Sequence, residues 1–335
     1  NMTVHRLIGS PLAAIIFLVT AGTVSAQTQK ELLDELDRTI EEAESYVSAK
    51  EVRIKTIENT LHSRGVSPER QYRIYGELFD EYQPFNYGKA VETLDKQMEI
   101  AMLLGDKSKL NDVYLKEAML NTAAGEFLEA RNDLARVDTT IFTKEQEIAY
   151  CNVQQRFWFD YDENLKGADK SMLRKVAYYR ERLLALADPS SSLSRYVTVR
   201  KYIDEKYFAQ ADFINRHSLS RMDPASHDYA NLAYFQARIC ESLNRREEMK
   251  NWFIRSAMAD IKTATKDNAS LFSLADALFK DGDYARAFKY SSFSLEDAIA
   301  FDAKLRQWQI SAILPAVQKS YTDIQQTHQK KTSNM

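Results

Sequence analysis

The sequence predicts an all-α fold, a helical-repeat solenoid preceded by a long N-terminal helix. Two observations carry that class. The 335 residues include only 9 Gly and 6 Pro, well under the usual roughly 7% and 5%, so helices run long between breakers. An aromatic residue three positions before an alanine also recurs at near-regular intervals. The same scarcity argues against nucleotide folds built on glycine-rich loops, and against all-β folds that need a turn every ~8–12 residues. Hydrophobic residues make up 44% and charged residues 28%, an ordinary balance for a folded chain.

Residues 1–26 read as an export signal. Arg6 follows Met2, an apolar stretch runs from Leu12 to Val19, and the small residues Val24, Ser25 and Ala26 offer a cleavage site. The apolar run is shorter than the ~20 residues a membrane span needs. Net charge is −3, or −4 without residues 1–26, which gives no pull toward nucleic acid or anionic lipid. Cys151 and Cys240 both lie in helical patterns. Two buried thiols are expected in preference to a single 151–240 bridge.

Residues 27–65 hold the long helix. Leu33, Leu36, Ile40, Ala43, Val47, Ile54, Ile57 and Leu61 are spaced alternately three and four apart, with Lys50 at the one seam position that is not apolar. Such a seam either self-associates as a coiled coil or packs on the body of its own chain; Ala43 and Lys50 favour packing. Gly65 ends the helix, and Ser67-Pro68-Glu69 opens the next with an N-cap and a first-turn proline.

About six helix-pair repeats are expected over 67–301. The units Phe85-Asn86-Tyr87-Gly88-Lys89-Ala90, Gly125-Glu126-Phe127-Leu128-Glu129-Ala130, Lys206-Tyr207-Phe208-Ala209-Gln210-Ala211 and Gly282-Asp283-Tyr284-Ala285-Arg286-Ala287 share the pattern. Asn244-Arg245-Arg246-Glu247-Glu248-Met249 is a divergent copy. Anchors at 90, 130, 211, 249 and 287 give intervals of 40, 81, 38 and 38, so the gap of 81 conceals a degenerate unit around Gly167. The unit at 282–287, with Leu274-Ala275 and Leu278 before it, resembles a tetratricopeptide repeat with lengthened helices. The small anchor lets the second helix approach the first, and the ring fills the space beside it. Residues 303–335 are read as a C-terminal helix, kinked or broken at Pro315, and a polar tail from Gln318.

No catalytic constellation emerges. Asp160-Tyr161-Asp162-Glu163-Asn164 begins like a calcium loop, but Leu165 stands where Gly is needed and Ser171 where the bidentate Glu belongs. There is no HExxH pair, no G-x-S-x-G elbow and no phosphate loop. Neither enzymatic activity nor a metal or cofactor is expected.

Aromatic side chains, 18 Tyr, 16 Phe and 3 Trp, concentrate on the first helices of the pairs, the helices that line the concave face of repeat solenoids. Trp158, Tyr161, Tyr234 and Arg238 are the predicted ligand contacts on that face.

The signal, the helix Glu31 to Leu61, the segment Tyr72-Arg73-Ile74-Tyr75-Gly76-Glu77-Leu78-Phe79-Asp80-Glu81-Tyr82 and Ala101-Met102-Leu103-Leu104-Gly105-Asp106 together resemble a known arrangement. It is the periplasmic, tetratricopeptide-like sensor portion of membrane-anchored transcriptional regulators of Bacteroidetes, over roughly 28–331. In that family a transmembrane helix, a coiled coil and a DNA-binding region follow the solenoid. The residues up to Met335 contain none of these, so the resemblance implies only the sensing half, with membrane attachment expected only where a span follows and no direct nucleic-acid binding. The function expected is a periplasmic or cell-envelope binding module for a peptide, protein or glycan-derived ligand. The alternative is an envelope assembly scaffold that forms a homodimer through the N-terminal helix.

Overall fold

The computed structural model describes residues 28–164, 170–266, 269–301 and 304–333; the predicted signal and Gly167 lie outside them. Fifteen α-helices and no strand occur among these residues. Two N-terminal segments, α1 (Gln29–Glu41) and α2 (Ala43–Leu61), precede six antiparallel pairs. The pairs are α3 (Pro68–Tyr82) with α4 (Tyr87–Leu104), α5 (Lys107–Ala124) with α6 (Phe127–Arg136), α7 (Lys144–Asn164) with α8 (Lys170–Leu186), α9 (Ser192–Asp204) with α10 (Phe208–Leu219), α11 (His227–Ser242) with α12 (Arg246–Lys262), and α13 (Ser270–Lys280) with α14 (Tyr284–Phe301). Helix α15 (Lys304–Ser333) packs on α14.

The repeat pattern acts where it was expected. Ala90, Ala130, Ala211 and Ala287 are each the fourth residue of a second helix and fully buried, and Met249 takes the same place in α12 at 6% exposure. The rings beside them fill gaps: Tyr87 meets Phe301 edge-on at 6.3 Å, Phe127 meets Phe157 at 6.1 Å, and Tyr284 meets Phe279 at 5.3 Å. The turn before these helices is repeated too. Gly125, Lys206, Asn244 and Gly282 all take positive φ, and the next residue's N–H bonds back to a carbonyl of the preceding helix at 2.8–3.0 Å, the Schellman closure that frees a helix to reverse. Glycine adopts that backbone without strain; Lys206 and Asn244 hold it against a Cβ penalty.

The predicted N-terminal helix is present, with a one-residue interruption. Glu42 has φ −89° and ψ −1°, and its carbonyl takes both the N–H and the hydroxyl of Ser45. The two segments have different partners. Leu32, Leu33 and Leu36 of α1 are buried with Phe253, Ile254, Leu274, Tyr290 and, from α15, Val317. Ile54 of α2 is buried with Ile74 and Leu78 of α3. Lys50 is also buried: its ammonium lies 3.4 Å from Glu81, donates to the Thr263 carbonyl and faces the Phe85 ring. The heptad seam is thus spent within the chain, with the lysine as a link between first and fifth pairs.

These contacts close the solenoid on itself. Helix α1 joins the last pairs, α2 joins the first, and the Lys266 N–H donates to the Pro84 carbonyl at 2.8 Å. Arg286 reaches Asp34 at 2.9 Å and Asp37 at 3.0 Å; Lys289 and the Tyr290 hydroxyl also bond to Asp37. The interior of this closed turn is where the cavity forms.

At the C-terminus the outcome departs from expectation. Helix α15 runs through Pro315, and the stretch from Gln318, read as a polar tail, is helical to Ser333. Pro315 and Ser311, four residues earlier, are both exposed, so the carbonyl that proline leaves without a donor lies on the solvent side of the helix, where it carries no burial penalty. Both cysteines are buried and unpaired. Among the described residues no helix is long and apolar enough to cross a membrane.

Candidate functional site

Three consecutive first helices, α7, α9 and α11, present one face each to the interior of the closed turn. Arg156, Phe159, Asp160 and Glu163 line it from α7, Tyr196, Arg200, Ile203 and Asp204 from α9, and His227, Asn231, Tyr234 and Arg238 from α11. The spacings are those of a single helical stripe. The cavity measures about 820 Å³ and is completed by Phe127, by Ser256 and Asp260 of α12, by the start of α13 and by Gln309 of α15. That volume suits a small ligand or a short peptide stretch.

Arginines form its most regular feature. Arg156, Arg200 and Arg238 stand one to a repeat, and each has a carboxylate one turn along its own helix: Asp160, Asp204 at 3.5 Å and Glu241 at 2.6 Å. Behind Asp204, the buried Arg180 donates to it at 2.9 Å. Burial pulls the Arg180 guanidinium below its ordinary value, and Asp204 opposes that shift. Arg200 lies 3.9 Å from the centre of the Phe159 ring, a cation stacked on the cavity wall. Partial burial pushes the Glu163 carboxyl up, with Arg200 opposing. Asp162 is only 6% exposed, and its Oδ1 has no hydrogen-bond partner. The His227 ring meets the Thr265 hydroxyl at 3.4 Å through Nδ1.

Of the four predicted contacts, the structure brings two together. Tyr234 and Arg238 line the cavity, Tyr234 also packing on Phe253 at 5.8 Å. Trp158 faces away, donating from Nε1 to Gln154 at 2.9 Å and covered by Lys175 at 3.6 Å, in a separate depression between α7 and α8. Tyr161 is stacked on Phe157 and edge-on to Phe127, a packing position. Of the wall residues outside that prediction, Arg156 and Arg200 carry a signal the ring count overlooks: Arg-x-x-x-Asp at 156–160 and at 200–204, then Arg-x-x-Glu at 238–241, at intervals close to the repeat period, whereas Tyr196 and Asp162 belong to no such motif.

Among the described residues no three His, Cys, Asp or Glu side chains gather as a metal site. A paired, aromatic-lined wall of this kind can orient a bound molecule. The family model described as the SusR N-terminal TPR domain matches residues 40–312. No curated protein matches the chain.

Proposed function

The chain belongs to the family of SusR N-terminal TPR domains, and from that membership we propose that it is the periplasmic sensor portion of a transcription-regulating protein. The ligand, a peptide, protein segment or glycan-derived molecule, seats in the central cavity. The observation that carries this reading is the position of the cavity, inside a turn closed by α1 and α2 and touched by Gln309 of α15. A molecule held by α7, α9 and α11 bears on the curvature of the whole turn. Curvature reaches α15 through α14 and through the α1 cluster that includes Val317, so binding shifts the population of α15 orientations. No chemical step is assigned to the site.

Self-association through the N-terminal helix is the weaker reading, because Leu33, Leu36 and Ile54 are already buried within the chain. The test is a thermal-shift screen of peptides and oligosaccharides on the full chain, repeated with two double variants. A compound that stabilises the parent should lose its effect with Tyr234→Ala/Arg238→Ala and keep it with Trp158→Ala/Tyr161→Ala. The opposite ranking would place the ligand outside the cavity and defeat the proposal.

A further inference from the structure

The depression between α7 and α8, on the Trp158 side of α7, differs in charge from the central cavity. It measures about 500 Å³, within the range that takes a small molecule. Its lining includes two cations, Arg174 and Lys175, and no carboxylate. Residues 170–182 carry Lys170, Arg174, Lys175, Arg180 and Arg182 against Glu181 alone, in a chain of net charge −3. Two of those bases already have acids: the buried Arg180 donates to Asp204, and Arg182, about two turns beyond Lys175, meets Glu147 of α7. Arg174 and Lys175 are exposed and enter no ion pair among the described residues.

The rest of the depression is aromatic and braced. Tyr178 is 57% exposed, with its ring edge-on to Tyr179 at 5.1 Å, and Tyr150 supports Tyr179 at 5.9 Å. Gln154 fixes the floor: its Oε1 accepts from Trp158 Nε1 at 2.9 Å, and its Nε2 donates to the Tyr150 hydroxyl at 2.8 Å. Lys175 lies 3.6 Å from the centre of the Trp158 ring, so an indole rather than an acid holds its ammonium at the rim. Its charge is therefore not neutralised, and the planar fork of Arg174 beside it matches the oxygens of a carboxylate or phosphate.

We propose that this depression binds a small organic anion, a carboxylate or phosphate carried on a flat apolar body. Arg174 and Lys175 take the oxyanion, and the exposed Tyr178 ring takes the body. A cation would meet two like charges and no acid in the lining, and a neutral compound would gain only the rings. The site does not depend on the reading of the central cavity, which lies across α7.

The test is calorimetric titration of the full chain, in low-salt buffer free of phosphate and carboxylate, with phenyl phosphate, benzoate, neutral benzamide and inorganic phosphate. Phenyl phosphate and benzoate distinguish the two kinds of oxyanion. At least one of them should bind about fivefold or more tightly than benzamide, the preference expected from two exposed cations acting together. Added sodium chloride should shrink that preference. The double variant Arg174→Gln/Lys175→Gln, shown folded by circular dichroism, should abolish it. Equal binding of benzamide and both anions, or no binding of either anion, would overturn the proposal. Anion binding that survives the double variant would overturn the site, and its loss in Tyr234→Ala/Arg238→Ala instead would move the anion to the central cavity. Inorganic phosphate binding as tightly as phenyl phosphate would overturn the assignment of an apolar body.

Discussion

Asp37 is the most heavily used residue of the contact that closes the turn. It accepts from Arg286 Nε at 3.0 Å, Lys289 Nζ at 3.0 Å and the Tyr290 hydroxyl at 3.1 Å, and Tyr290 is fully buried. Burial pushes its carboxyl up, but Lys289 and Arg286 together outweigh that and hold it below the ordinary value. Asp37→Asn removes the charge and leaves the buried Tyr290 hydroxyl with a poorer acceptor. A hydrogen bond to a charged group contributes about 1.5–3 kcal/mol, and partial replacement by the amide brings the expected loss to about 2–3 kcal/mol. Asp34 supplies the control: it also meets Arg286, at 2.9 Å, but its side chain is 44% exposed, so Asp34→Asn should cost under about 1 kcal/mol. Urea unfolding gives both numbers. Hydrogen exchange at the amides of α1 shows whether the loss is local release of that helix, whose burial of three leucines otherwise holds it. Because the folded pKa is depressed, the stabilisation is present above the unfolded value of about 3.9 and fades as pH falls through the folded one. Parent and Asp37→Asn should therefore converge in strong acid. Equal stability of the two at pH 7, or an Asp34→Asn loss as large, would refute this account of the closure.

Three further outcomes follow from the packing and charges already described. Lys206, at φ 63° in a turn where Gly125 and Gly282 serve elsewhere, should gain about 0.5–1 kcal/mol on Lys206→Gly, read as a rise in the urea midpoint; no gain would mean the turn is not strained. Ala287 is fully buried within the last pair, so Ala287→Leu should overpack it and lose about 1–3 kcal/mol of urea-unfolding stability, against a near-neutral Leu103→Ala at an exposed position. Glu117 is pushed up to about 7 by burial first and then by Asp133. Its folded pKa exceeds the unfolded value of about 4.3, so the folded state binds the extra proton and stability falls as pH rises from about 4 to 7. Glu117→Gln should remove that slope, gaining on the parent by about 2 kcal/mol between pH 5 and pH 8; parallel stability curves for the two proteins would contradict it.

The fold was legible because its signals are local. An alanine that lets two helices approach must sit at one place in each pair, and Ala90, Ala130, Ala211 and Ala287 mark those places without any knowledge of what packs on them. Closure of the turn was not legible in the same way, since it depends on α1 meeting residues about 250 positions away. The acids Asp34 and Asp37 and the bases Arg286 and Lys289 have matching i, i+3 spacing, yet nothing local says that those two faces meet. The seam from Leu33 to Leu61 is local and shows in the spacing, Lys50 apart, while the partners it packs on belong to α3, α12, α13 and α14 and are set by the folded chain.

Choosing residues by type put Tyr234 and Arg238 on the cavity wall and, in α7, Trp158 and Tyr161 on other faces of the helix. Residues in a helix are about 100° apart around the axis, so Trp158 stands roughly 200° from Arg156 and points into the α7–α8 contact rather than the cavity. A stripe is defined by phase, and phase is set most reliably by residues that cannot be buried unpaired. Arg156, Arg200 and Arg238 satisfy that condition, each with its acid one turn along. Rings do not, because a buried ring packs as well between helices as against a ligand, which is why Tyr161 and Tyr234 were indistinguishable in sequence and are separated only by what surrounds them. In a repeat solenoid, then, the paired charges that recur with the repeat mark the face that consecutive first helices share, here that of α7, α9 and α11.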